Sequence, residues 1–386
     1  MRHSYNNNWS NSVFCRLMGE TVNIFALSKQ DTSVMKGIAI IAMLCHHVYN
    51  CQPEWVEAYP FIITTIGGLG KVCVAMFLFC SGYGLAVQYE KVIAYTTGLA
   101  DKVRITFVFI LKRLIKFYSA YWFVFLIFVP ITIFCFNRPL SAAYGENVNV
   151  WRCLFFDLLG VQGFGSYNIT WWFNRLIILF YLSFPILYAF IKSTKWLGLV
   201  ASFIAMRFAN QLGDFNYYEM FLWQFPFVLG IGWTIYQGKM VGLSKFVTQH
   251  TPWIKVGLVL LLLIGILQRL YSIIPFGHIV GVRFDGFLTL FLLLFVTIIL
   301  RNIQLCYSML SYIGKYSMNI YLIHTFLNGY WSPVHQFLHT HTICRFCGLN
   351  MWILLLSCLL ISILIEYLKD KIYWNKLTEK VLINIK

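Results

Sequence analysis

This 386-residue chain is 59% apolar and 11% charged, whereas soluble domains run at about 45–50% and about 25%. With 35 Phe, 23 Tyr and 13 Trp and a mean hydropathy of +0.70, it cannot build a solvated outer shell, and the same figures exclude disorder, collagen and coiled coil. Its formal charge of +16 comes with no basic stripe on a soluble module, which argues against nucleic acid and for basic loops held on one side of a membrane.

Met1 to Gln30 is polar, with Asn6-Asn7-Asn8 and no apolar core long enough for a cleavable signal, so the first span is expected to stay in the mature chain. A bilayer core of about 30 Å takes about 20 apolar residues as helix, fewer where neighbours shield them. Ten segments qualify: 35–52, 67–88, 106–136, 171–191, 196–210, 217–238, 253–272, 284–300, 312–330 and 350–368. The expected fold is therefore all-α, a polytopic membrane helix bundle of about ten transmembrane helices. Residues 1–30 form an N-terminal segment, 31–370 the transmembrane domain and 371–386 a C-terminal tail. Phe117 to Phe136, Met220 to Gly238 and Met351 to Ile365 are the clearest spans. The first is short and carries Lys36, His46 and His47. Trp151 to Phe164 is apolar but interrupted by Arg152 and Asp157, which predicts a helix lying in the interface or dipping into the bundle.

Loop charge sets the orientation. With the N-terminus inside, the cytoplasmic segments hold Lys91, Lys102, Arg104, Lys112, Arg113, Lys192, Lys195, Lys239, Lys245, Lys255, Arg301, Lys315 and the tail lysines from Lys369 to Lys386. The opposite loops hold Arg138, Arg152, Arg283 and Arg345. That asymmetry fits ten spans with both termini in the cytoplasm. Eleven scattered cysteines, among them Cys73, Cys80, Cys135, Cys306 and Cys358, read as small buried side chains rather than a disulfide framework.

Charges and imidazoles inside spans are costly and mark candidate sites. Eleven helical steps separate Lys36 from His47, which returns them to one face about 16 Å apart along the axis. His46 lies about 80° round. A buried imidazole can serve as a general base or carry an acyl group, and a lysine at the edge can snorkel or hold a phosphate; helix–helix hydrogen bonding and interfacial anchoring would use the same residues. The third span opens Leu111-Lys112-Arg113-Leu114-Ile115-Lys116, with Arg113 and Lys116 at i and i+3 and Lys112 near them. Such a cationic entry suits a ligand with several phosphates, and Lys112 and Arg113 also fit ordinary anchoring. Ser81-Gly82-Tyr83 closes the Phe-rich second span. Gly314 to His324 sets Ser317, Tyr321 and His324 on one face. Small and hydroxyl residues also serve as helix-packing surfaces.

In this order, these stretches resemble the acyltransferase-3 family of integral membrane acyl- and O-acetyltransferases. Lys36 stands where that family has Arg, with ten residues between it and His47. Ser81-Gly82-Tyr83 is similar to its SGF/SGY signature, Lys112 to Trp122 to its basic entry to the third span, and Trp171-Trp172-Phe173 through Phe184-Pro185 and Gly314 to His324 to two further motifs. The resemblance covers roughly residues 30–370. Three departures stand out: Lys36 loses bidentate hydrogen bonding, Ser119-Ala120 replaces a Pro-containing pair, and Asn174-Arg175 follows the Trp pair where many relatives carry Glu a few residues on.

The resemblance implies transfer of an acyl group, commonly acetyl, from cytoplasmic acyl-CoA to a hydroxyl of a cell-surface polysaccharide or lipid-linked glycan precursor, in the cell membrane. It implies catalytic roles for His47, His46 and Lys36, donor binding by Arg113, Lys116 and Lys112, and substrate contacts from Ser81, Tyr83, Trp171, Tyr321 and His324. No metal cofactor and no nucleic-acid partner are expected; the bilayer and a glycan acceptor are. A transporter or flippase for a glycolipid or small metabolite is the alternative reading. A metal site at His335, His339, His341, Cys344 and Cys347 has zinc-like Cys-x2-Cys spacing but only one Cys pair.

Overall fold

The computed structural model describes residues 23–49, 61–206, 208, 215–276, 284–329, 331–340 and 349–385. It is helical throughout, with no strand among the described residues. Helix α1 is Lys29–Tyr49; α2, Phe61–Leu69, runs through a 3-10 turn at Gly70–Val72 into α3, Cys73–Ile93. The long α4, Leu99–Cys135, is followed by short α5 (Leu140–Tyr144) and α6 (Val150–Leu158), then by α7, Trp172–Thr194. Beyond lie α8 (Trp196–Ala205), α9 (Phe215–Gln237), α10 (Val241–Gln249), α11 (Thr251–Phe276) and α12 (Asp285–Ile298). The chain closes with α13 (Gln304–Lys315), α14 (Ser317–Asn328), α15 (Pro333–Thr340), α16 (Leu349–Lys371) and α17 (Trp374–Asn384).

Seven helical segments among the described residues are long and apolar enough to cross a membrane: Lys29–Tyr49, Thr65–Ile93, Leu99–Cys135, Ile169–Thr194, Thr251–Leu270, Asp285–Asn302 and Leu349–Lys371. The other three expected spans differ for identifiable reasons. In 196–210, α8 has only ten residues. The 217–238 helix, α9, has the length, but Tyr217, Tyr218, Glu219, Gln224 and Gln237 dilute its hydropathy. The 312–330 stretch breaks at Tyr316, leaving α13 and α14 with 12 residues each. Short helices of this kind are tolerated at membrane depth when protein rather than lipid surrounds them, and most of α14 is buried. The Trp151 to Phe164 segment forms the nine-residue α6, capped by Asn149, which accepts the Arg152 N–H at 3.0 Å.

Helix α1 is the centre of the bundle rather than a lipid-facing span. Val34, Met35, Ala39, Ile40 and Leu44 are fully buried, and α2, α3, α13, α14 and α16 pack around it. Its start is a capping box: Ser28 Oγ accepts the Asp31 N–H at 3.1 Å, and Asp31 Oδ2 accepts the Ser28 N–H at 2.7 Å. Asp31, wholly buried, also accepts Arg301 Nε at 2.7 Å, Arg301 Nη2 at 2.6 Å and the Tyr307 hydroxyl at 2.7 Å. Helices α3 and α9 approach most closely at Gly82 and Gly230. A Cβ at either would run into the other helix's main chain, at Phe227 O or Phe79 O, as in small-residue crossings within membranes.

One sequence expectation needs correction. Cys73, Cys80 and Cys358 are buried, but Cys135 and Cys306 are exposed on the outer surface. In the C-terminal segment, Tyr373 turns the chain with φ at 60°, and α17 packs on α4. There Trp374 Nε1 donates to the Ser119 carbonyl at 3.1 Å, and the Ser119 and Thr378 hydroxyls meet at 2.7 Å. Through Ser119-Ala120, and through Pro130, α4 stays one continuous helix.

Candidate active site

The last turns of α1 and the middle of α14 bring three imidazoles together. His47 and His324 have ring centroids 4.9 Å apart at 47°, and His46 lies 5.4 Å from His47 at 64°. Because a carbonyl can only accept, the 2.7 Å contact of His324 Nδ1 with Tyr321 O puts the proton on Nδ1. His324 Nε2 then faces the Thr325 hydroxyl at 3.2 Å. Thr325 continues to Thr170 at 3.1 Å, and Thr170 donates to Asn168 Oδ1 at 2.7 Å. By the same logic, His46 gives its Nδ1 proton to the Gly67 carbonyl at 3.0 Å. Both flanking rings are thus braced against main chain. His47 sits between them, half-buried, while His324 is wholly enclosed.

The floor beneath His324 is polar. The Tyr321 hydroxyl lies 3.0 Å from Thr170 O and 3.2 Å from Asn174 Oδ1. Asn174 is fully buried, and its Nδ2 has no hydrogen-bond partner among the described residues. Trp171, 1% exposed, donates its indole N–H to Leu322 O at 3.2 Å and lies edge-on to Tyr121 at 5.0 Å. It is a packing anchor, not a pocket wall. Tyr83 is likewise committed, its hydroxyl shared between Leu27 O at 3.0 Å and Gln237 Oε1 at 3.1 Å. It fastens the segment before α1 and does not face the imidazoles.

Lys36 lies at the other end of α1, half-buried and within electrostatic range of Cys80. Eleven helical steps put it about 16 Å from His47, so it is separate from the imidazole cluster. Next along α3, Ser81 adjoins Tyr181, which in turn lies within electrostatic range of Arg113. The Arg113 guanidinium bonds Gln88 Oε1 and stands 5.4 Å over the Phe109 ring. Lys112 lines an open groove of about 470 Å³ with Tyr95, Thr96, Thr97, Arg104 and Phe109.

Lys116 departs from the expected grouping: it is exposed and does not line that groove. Arg113, which does not line the groove either, is partly buried. His335 is buried; the side chains of His339, His341, Cys344 and Cys347 lie outside the described residues.

Several members of the site carry no motif signal. Thr170, Thr325 and Gln88 are ordinary polar residues until the helices pack. Lys71, in the 3-10 turn, belongs to none of the motifs singled out in the sequence, yet it lies within electrostatic range of His47. Asn174 is noticeable only as a departure from the resemblance.

Residues 31–369 match the acyltransferase-3 family model, described as an acyltransferase domain, and that stretch contains every polar group in both clusters. The chain belongs to the acyltransferase-3 family. No curated protein and no solved structure matches it. As an acyltransferase-3 protein it is a multi-pass membrane acyltransferase. That chemistry needs a group to take a proton from a nucleophile or to carry the acyl group itself, and a braced imidazole can do either.

Proposed function

We propose that this acyltransferase-3 protein moves an acyl group, acetyl in the first instance, from acyl-CoA to a hydroxyl of a cell-surface polysaccharide or its lipid-linked precursor. The observation that carries the reading is the separation along α1. Lys112 lines an open groove beside α4, and a braced imidazole cluster closes the far end of α1, about 16 Å along the axis from Lys36.

In this reading, both termini are cytoplasmic and the membrane is the cell membrane. Helices α8 and α9 and the α13–α14 pair supply three crossings beside the seven long ones. Lys112 and Arg113 attract the phosphates of the donor, and Lys36 guides the chain that bears the thioester. His47 takes the proton of the acceptor hydroxyl as the new C–O bond forms, or accepts the acyl group and hands it on. His324 and His46 hold the ring. Ser81, which adjoins Tyr181, and Tyr321 with Asn174 line the approaches from the two sides. No metal and no nucleic acid enter the scheme. Its partners are the bilayer and the glycan acceptor.

The test is donor consumption by purified protein in lipid, wild type beside His47→Ala at equal abundance, with a panel of glycan precursors. Product formed by wild type alone supports the reading. Folded wild-type protein that neither binds nor consumes acyl-CoA overturns it.

A further inference from the structure

The imidazole cluster has a charged flank that the transfer scheme above leaves unused. It begins at Gly70, which is pressed onto α1: a Cβ there would collide with Ala42 O and touch the backbone and Cβ of His46. The next residue, Lys71, is partly buried. The 3-10 turn that carries it contacts both α1 and α12, and Lys71 lies within electrostatic range of His47 on α1, Glu219 on α9 and Asp285 on α12.

Both acids are fixed from behind. Glu219 Oε2 accepts the Trp223 indole N–H at 2.8 Å. Asp285 is ion-paired with Arg269 at 2.9 Å, the two side chains 0% and 1% exposed. Inside a membrane bundle, an ion pair as dry as this is costly to bury and would ordinarily be replaced by apolar packing. Here a second cation, Lys71, lies within electrostatic range of the pair's carboxylate, pointing to a site that is built to hold positive charge beside His47.

We propose that Lys71 is the electrophilic partner of His47: its ammonium group stabilises the negative charge that develops on the acyl carbonyl oxygen during transfer. This inference rests on the acyl-transfer reading. As the acceptor oxygen attacks the carbonyl carbon, its proton passes to His47, and the C=O pair moves onto the carbonyl oxygen, where Lys71 meets it. On collapse the C=O re-forms, the C–S bond breaks, and the departing thiolate takes the proton from His47. If His47 itself is acylated, the same oxyanion forms twice, and Lys71 serves both steps. Glu219 and Asp285, within electrostatic range of Lys71, balance its charge. A fixed charge of this kind favours the transition state over the ground state, because it meets an anion absent from the bound thioester.

The experiment compares wild type, Lys71→Met and Lys71→Arg as full-length protein in lipid, with kcat and KM measured for acetyl-CoA and acceptor. The proposal expects Lys71→Met to lose about 10²–10³-fold in kcat with both KM values within threefold of wild type, and Lys71→Arg to recover most of that loss. A Lys71→Met enzyme that keeps kcat, or raises KM at constant kcat, overturns it. Should Lys71→Met fail to fold, Lys71→Gln and Lys71→Arg decide the matter: equal kcat in the two shows that charge at this position is not used. Wild type inactive toward every acyl donor overturns both this inference and the acyl-transfer reading. Active wild type with an equally active Lys71→Met overturns the inference alone.

Discussion

The two ends of α1 solve opposite problems with the same raw material, polar side chains in an apolar bundle. At the Lys36 end, the basic groups are half-buried or line an open groove, and each keeps a long flexible stem. At the His47 end, the rings are locked by short hydrogen bonds to main-chain carbonyls, at 2.7 Å for His324 and 3.0 Å for His46. The first arrangement suits capture of a mobile, highly charged ligand, where geometry can be loose and charge does the steering. The second suits a reaction, where a misplacement of about 1 Å is expensive. Mutations at the two ends should therefore leave different kinetic signatures.

The largest effect is expected at His47. Its replacement by Ala removes the proton acceptor or acyl carrier, and should lower kcat by about 10²–10⁴-fold while leaving donor KM near wild type. Steady-state kinetics at matched protein abundance checks this. A donor KM that rises in proportion would move His47 into the capture half and erase the contrast.

Charge reversal at Arg113 should act the other way. With its guanidinium bonded to Gln88 and near Tyr181, Arg113→Glu is expected to raise donor KM about tenfold or more, an effect that shrinks with added salt, and to alter kcat little. Lys116→Glu is its control. Lys116 is exposed, so donor KM should change by less than threefold. Equal effects at the two positions would mean that diffuse surface charge, not a pocket, recruits the donor.

How much of this was legible beforehand follows from what periodicity can and cannot encode. The all-helical class and most spans came from hydropathy. His47 and His324 came from the cost of an imidazole among apolar residues. Among the described residues seven strongly apolar segments appear where ten were expected, in part because hydropathy counts residues and cannot see the Tyr316 break in α13–α14. The bracing of His324 by Thr325, Thr170 and Asn168 depends on loop residues about 150 positions away, which no local pattern reports. The separation of Lys36 from His47 by about 16 Å along one face of α1 follows from helical rise alone. The hydrogen bonds of Trp171 to Leu322 and of Tyr83 to Leu27 and Gln237 depend on tertiary packing that the motifs do not report.

The smallest expected effect probes how the His47 end is roofed. Asp157 on α6, outside the seven long spans, is fully buried. Its carboxylate accepts the Tyr167 N–H at 2.5 Å and the Tyr144 hydroxyl at 2.8 Å, while its carbonyl takes the Tyr121 hydroxyl at 2.5 Å. Tyr121 in turn packs on Trp171. Burial pushes the Asp157 carboxyl up from 3.8 to about 6, against the pull of those hydrogen bonds. Because the folded value lies above the unfolded one, the stabilisation is complete below about 4 and fades as pH rises through about 6. Thermal unfolding in lipid between pH 4 and 7.5 should show the wild-type midpoint falling across that window. Asp157→Asn, which keeps the shape but cannot ionise, should flatten the slope and leave donor KM untouched. A variant with the wild-type slope would assign the pH dependence to another group. A changed donor KM would tie the roof to the capture end, against the division argued here.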